Sequence, residues 1–283
     1  MGKLGVRTTR IILNSVSYVL LVGWGLVAAM PLVWMVSSAF KYSREIYTWP
    51  PSIIPRQPTF DNFVAAWTKV PFDWFLINSA IVSLVEVTGV LAFGAMVAYV
   101  LAIRRVPGRS LLWVLVLAGL IIPEQVTYIP RFMIVKQLGW INTLQGVVAP
   151  YFMSSFGVFL LAQFFQTIPG ELFDASRIDG LGEFGILLRI VLPLSQPALA
   201  ALAIFTWLSS WNNFFWPLLV VINESKRTVP VGLASFFQEE GVANIGHVMA
   251  GNTIAILAPL AVFILFQRHF VQGIGVTGLK EVF

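Results

Sequence analysis

Cysteine is absent from this 283-residue chain, and histidine occurs only as His247 and His269. Without thiols there is no disulfide framework and no thiolate metal site, and two imidazoles leave a histidine-based zinc site short of ligands. Charge is scarce as well: Asp, Glu, Lys and Arg make up 11% of the residues, less than half the share of a typical soluble domain. The net charge of +5 does not read as a nucleic-acid footprint, because the cations stand singly at the ends of apolar runs instead of clustering on one face. What is plentiful is the reverse. Hydrophobic residues reach 58%, with 10 Trp and 23 Phe, and mean hydropathy is +0.83. This is the composition of a membrane protein.

A spanning helix takes about 20 predominantly apolar residues. Six stretches qualify, at roughly 11–37, 76–102, 110–130, 144–166, 197–222 and 248–267, and they predict one all-α polytopic domain over 1–283 without internal repeat. Lys3, Arg7 and Arg10 precede the first stretch as in a signal peptide. Its apolar run is about twice a cleavable core, so an uncleaved helix is expected. With the N-terminus inside, the inner side holds Lys3, Arg7, Arg10, Arg104, Arg105, Arg109, Arg177, Arg189, Arg268 and Lys280. The outer side holds Lys41, Arg44, Arg56, Lys69, Arg131, Lys136, Lys226 and Arg227. The short turn IRRVPGR at 103–109 decides the sense, because three arginines between two spans resist translocation. Both termini are therefore expected on the cytoplasmic side of the membrane.

The outer loops differ in kind. Residues 41–72 carry Pro50, Pro51, Pro55, Pro58 and Pro71 and read as a rigid extended excursion. Residues 131–143 read as a short interfacial helix with Trp140 at headgroup level. The third loop, 223–247, has Glu239, Glu240 and Gly241 near its tip.

The inner loop between the fourth and fifth stretches, 167–196, is unlike its surroundings. Within ELFDASRIDGLGEFGILLRIVLP at 171–193, Pro169 and Gly170 close the preceding span, and Glu171 and Asp174 fall in the first turn of a new helix, where free N–H groups favour negative charge. Leu172, Ala175 and Ile178 recur at a spacing of three and predict an apolar stripe beside an acidic edge. Gly180 is placed to end the helix, and Phe184, Leu187, Leu188 and Val191 predict a second amphipathic segment up to Pro193. On amphipathicity alone, an interfacial helix with solvated acids is the alternative.

Asp174-Ala175-Ser176, three residues, Gly180, nine residues, then Ile190-Val191-Leu192-Pro193 resembles the EAA loop of permease subunits of binding-protein-dependent ABC importers. Asp replaces the leading Glu and Ser the second Ala, which keeps charge sign and small size. The phrases PTFDNF at 58–63, INSAIVSL at 77–84, IPEQVTYIP at 122–130, SWNNFFWPL at 210–218 and the tail at 267–280 are similar to the maltose-transport-like carbohydrate branch. The resemblance implies the six-helix transmembrane domain of a type I ABC importer. It implies a second permease subunit, two ATP-binding subunits that carry ATP and Mg, and an extracytoplasmic substrate-binding protein. It also makes Glu171, Asp174, Ala175, Ser176, Ile178, Asp179 and Gly180 the coupling helix that docks in a groove of the ATPase. By position, the segment with Gln238, Glu239, Glu240 and Gly241 is then the loop that reaches the binding protein.

No motor is legible on the chain itself. GIGVTG at 273–278 has the glycine spacing of a phosphate loop, but Leu279 stands where the lysine is needed and a transmembrane helix precedes it instead of a strand. No G-x-S-x-G elbow or His–carboxylate metal cluster is found, so the chain is expected not to be an enzyme. Trp211, Asn212, Asn213 and Trp216 are the most sugar-like set, since amides bond sugar hydroxyls and aromatic faces stack on sugar C–H surfaces; packing and interhelical bonding are the plain alternative. Glu124 and Tyr128 join them as path candidates, with an ion pair to Arg131 as the plain reading of Glu124. Glu86 and Glu124 near or within spans leave a proton-coupled secondary transporter as the rival function, one that leaves the EAA-like loop unexplained.

Overall fold

The computed structural model describes residues 2–104 and 106–278, with side chains described over 14–104 and 106–266. Arg105, Lys280 and Leu279, together with the side chains of Lys3, Arg7, Arg10, Arg268 and His269, lie outside the described residues.

Every regular element among the described residues is helical. Helix α1 is Gly2–Ala39, α2 Phe72–Ala102, α3 Arg109–Ile121, α4 Tyr128–Gln137, α5 Ser155–Phe165, α6 Gly170–Ile178, α7 Gln196–Trp211, α8 Val229–Glu240 and α9 Ile245–Gly278. Four segments are long and apolar enough to cross a membrane unbroken: Asn14–Ala39, Phe72–Ala102, Leu144–Phe165 and Ile245–Phe266. Two more form bent pairs, Arg109–Ile121 with Glu124–Gln137 at 104° and Glu183–Leu194 with Gln196–Trp211 at 81°. Six spans result when each pair counts as one.

Two of the expected spans are also interrupted within their own bounds. The stretch 110–130 stops at Ile121, because Pro123 has no N–H to donate and drives Ile122 into the extended region (φ −70°, ψ 120°). The stretch 197–222 stops at Trp211, where the Asn212 amide turns back to the Leu208 carbonyl at 2.8 Å, and a separate helix follows at Phe215–Val220. The glycines of 273–278 fall within α9 and not in a strand-to-helix turn.

The chain divides into two compact units. The first comprises residues up to Val70 with Ser235–Ile254. Its 41–72 excursion is less extended than the prolines suggest, with a single helical turn at Ser43–Ile46 and two turns at Asp61–Thr68. The Asn62 amide donates to the Ala39 and Lys41 carbonyls at 2.9 and 2.7 Å, and Phe40, Phe60 and Phe63 pack ring against ring. Lys41 is fully buried, its ammonium 4.5 Å from the Trp34 ring centroid and bonded to the Ser52 carbonyl. That pairing is what makes a buried cation tolerable.

The second unit, Pro71–Ala234 and from Ala255 onward, is built around α2, which packs most extensively against α5 and α7. The buried face of α2 carries small and polar groups, among them Ser79, Ser83, Glu86 and Gly89. Small residues let helices approach closely where lipid supplies no hydrophobic drive. At Gly89 the approach is tight: an added Cβ would stand 2.6 Å from the Phe152 ring. The segment expected at the headgroups becomes α4 plus a loop, and Trp140 packs partly buried against the Val82, Val135 and Trp216 cluster.

Candidate functional site

The loop 167–196 folds as a helix, a glycine turn and a second helical limb. Pro169 precedes α6, whose Phe173 and Ser176 are buried against a cluster that includes Tyr99, Leu101, Phe165 and Val191. The helix ends in a Schellman turn: the Gly180 N–H donates to the Arg177 carbonyl at 3.1 Å and the Leu181 N–H to the Ser176 carbonyl at 3.0 Å. Gly180 has φ +83°, and no atom lies within 4 Å of a Cβ built there. The glycine is needed for its backbone angle, not for space. The second limb runs from Glu183 through Leu194, including a wide π turn at Leu187–Val191.

The predicted apolar stripe of α6 is its exposed side, and another face is buried. Leu172 and Ile178, on the predicted apolar stripe, are 42% and 87% exposed, and Ala175 is exposed with them, while Phe173 and Ser176 point inward. In the second limb Leu187 and Val191 are buried but Phe184 and Leu188 are not, and Ile186 takes the inner position. The elbow therefore presents Leu172, Asp174, Ala175 and Ile178 outward, with Glu171 and Asp179 also exposed.

Polar contacts lock the two limbs together. Arg177 bonds Asp174 at 3.0 Å and, through Nε, Glu183 at 3.2 Å. Arg104, just beyond α2, bonds the same Glu183 oxygen at 2.6 Å, and the Tyr99 hydroxyl of α2 donates to the other oxygen. Glu183 thus joins α6, the second limb and the end of α2. Sequence reading missed it as a site residue, because its partners lie 79 and 84 positions away.

A second constellation lies in the α2–α5–α7 unit: a cavity of about 610 Å³ lined by Glu86, Glu124, Arg131, Tyr151, Thr206 and Ser209 among others. Arg131 pairs with Glu124 at 3.1 Å and covers the Tyr151 ring at 5.1 Å, and the Tyr151 hydroxyl donates to Glu124. Of the expected path residues, Glu124 lines this cavity and Asn213 adjoins it through a hydrogen bond with Tyr151. Tyr128, Trp211, Asn212 and Trp216 do not line it. Trp216 is fully buried and its indole N–H is shared by the Gly146 and Val147 carbonyls, both at 3.1 Å. Trp211 is 4% exposed and stacks on Trp207, Tyr128 lies against Trp216, and the Asn212 amide serves its own helix. The cavity's Glu86, Thr206 and Ser209 come from the helix faces hidden inside apolar stretches, where periodicity gives no signal.

On the outer loop, Gln238 and Glu239 are exposed, and Gly241 turns the chain at φ +62°. Glu240 differs: it accepts from Lys69 at 2.7 Å and lies 2.7 Å from His247 Nδ1. Burial works against its ionisation, but the hydrogen bonds from Lys69 and His247 outweigh that and hold its carboxyl below the usual range.

An all-helical membrane chain with a polar elbow on a glycine turn and a polar cavity among its spans is the outline of a transport permease. The chain belongs to the binding-protein-dependent transport system inner membrane component family, whose profile matches residues 90–276. It is 37% identical over 270 residues to the arabinooligosaccharides transport system permease protein AraQ of Halalkalibacterium halodurans, covering 93% of this chain and 96% of the relative. It is 31% identical over 269 residues to the sn-glycerol-3-phosphate transport system permease protein UgpE of Pectobacterium atrosepticum, covering 93% and 96%. In fold it is similar to a chain of a bacterial ABC transporter involved in import of the acidic polysaccharide alginate, with TM-score 0.81, 22% identity and coverage of 93% and 98%.

Proposed function

We propose that this chain is the permease subunit of an ATP-driven importer that carries a carbohydrate or related polyol across the cytoplasmic membrane, with both termini inside. Membership of the binding-protein-dependent family makes it a membrane component that works with a substrate-binding protein. Relatives named for arabinooligosaccharide and glycerol-3-phosphate transport support cargo of that class. A second permease subunit completes the pathway, and two ATPase subunits hold the ATP and Mg. The chain moves its cargo without transforming it.

The elbow carries the reading. A short helix with Asp174 76% and Ile178 87% exposed, braced from behind by Glu183, supports a docking role for Glu171 to Gly180. A rigid rod of this kind passes a rigid-body push from a motor into the spans. On the opposite side, Gln238, Glu239 and Gly241 are the reach toward the binding protein, and the Lys69–Glu240–His247 contacts hold that loop's base.

Reconstituted with its partner permease, ATPase and binding protein, the complex accumulates a labelled oligosaccharide only with ATP. Uptake by the permeases without ATPase, driven by a proton gradient, would overturn the reading in favour of secondary transport. Because the chain has no cysteine, an Asp174→Cys variant reports orientation directly. Modification by an impermeant maleimide is expected only from the cytoplasmic face, and modification in intact cells overturns the placement.

A further inference from the structure

We infer that the cargo carries no negative charge where it passes this chain: the wall this subunit contributes is built for hydroxyls and not for phosphate or carboxylate. The inference rests on the importer reading above and deepens it. Family membership leaves the matter open, since one relative is named for an oligosaccharide and another for a phosphate ester.

The cavity holds the decisive groups. Arg131 is its one guanidinium, and it is already committed, 3.1 Å from Glu124 and laid over the Tyr151 ring. Glu86 is 6% exposed and makes no ion pair among the described residues; the charge that acts on it is a second carboxylate, Glu124. Ionised, Glu86 gives the wall a net negative charge; protonated, it leaves the wall neutral. In neither state does the wall offer a free cation. An anion leaving water requires charge-assisted donors or a paired cation to offset its desolvation. A neutral sugar has no such need.

What the wall does offer suits a sugar. The hydroxyls of Ser155, Thr206 and Ser209 line the cavity and make no hydrogen bond within the described residues. A hydroxyl both donates and accepts, so it pairs with sugar hydroxyls in either sense, and a carboxyl does the same when protonated. Phe156 and Phe205, edge to face at 6.0 Å, line the same space and supply an apolar surface for sugar C–H groups. The volume of about 610 Å³ lies within the range of small-ligand sites.

Equilibrium dialysis on the purified importer complex without its binding protein separates this cavity's selectivity from that of the binding protein. Labelled arabinotriose is expected to bind at least about tenfold more tightly than sn-glycerol 3-phosphate or an alginate trisaccharide, a difference of about 1.4 kcal/mol or more. Equal or tighter binding of the anions, or no binding of any probe, overturns the inference. A parallel uptake assay distinguishes the two readings: ATP-driven import of an anionic sugar sinks only this inference, whereas import of no carbohydrate sinks the importer reading beneath it.

Discussion

Glu183 shows how much one side chain organises when its two oxygens face three donors. Arg104 and Arg177 share one oxygen and Tyr99 takes the other. The residue is 38% exposed, so the Arg104 pair by itself contributes on the order of 0.2–1 kcal/mol. Its weight in the proposed coupling is mechanical, because removing it unties α6 from the end of α2. Glu183→Gln is therefore expected to shift the melting temperature of the complex by no more than a few degrees. It lowers sugar imported per ATP hydrolysed several-fold, and Glu183→Asp recovers part of the loss. Paired uptake and phosphate-release measurements check this, and a fall in both rates with their ratio unchanged would mean that Glu183 serves only packing.

Elements show the same logic at their ends. The Schellman turn behind α6 depends on a left-handed residue at Gly180, where a β-branched side chain meets its own backbone even though the surrounding space is empty. Gly180→Asn is expected to keep most uptake, and Gly180→Val to cost about 1–2 kcal/mol locally and to uncouple ATP hydrolysis from transport. Equal uptake in the two variants would remove backbone angle as the reason for the glycine. At the end of α8 the fastening is Glu240, whose ionised form is favoured in the folded chain by Lys69 and His247. A carboxyl with a depressed folded pKa stabilises above its unfolded value and loses that contribution as pH falls through the folded one. A spin label on Gln238→Cys should therefore stay restrained at neutral pH and loosen only below the ordinary glutamate range. Glu240→Gln should loosen it at every pH. A label equally restrained in both proteins would show that Lys69 and His247 are not what holds the loop.

For the whole molecule, apolar run length was enough to read an all-α membrane chain, and residue spacing around Gly180 was enough to find the elbow. Legibility failed where tertiary contacts choose between equivalent options. The repeat of Leu172, Ala175 and Ile178 marks a stripe without saying which way it faces, and Phe173 and Ser176 are the side chains that are buried. A hydropathy window averages across Pro123 and Asn212, so two breaks vanished into expected spans. The aromatic–amide cluster at 211–216 looked like sugar chemistry, but Trp216 is fully buried, its indole N–H shared by the Gly146 and Val147 carbonyls. Glu86 and the hydroxyls beside it sit on faces that only the packing of α2, α5 and α7 defines.

Helix α2 begins outside the elbow, runs 31 residues, and carries both Tyr99 near its inner end and Glu86 partway along. About thirteen residues separate them, or roughly 20 Å of helix at about 1.5 Å per residue. On the proposed coupling it acts as a lever with its handle in the Glu183 contacts. A tilt of about ten degrees at the handle swings the carboxyl sideways by roughly 3 Å, about the width of a water molecule, over that arm. A motor stroke too small to notice at the membrane surface is large enough there to open or shut a door.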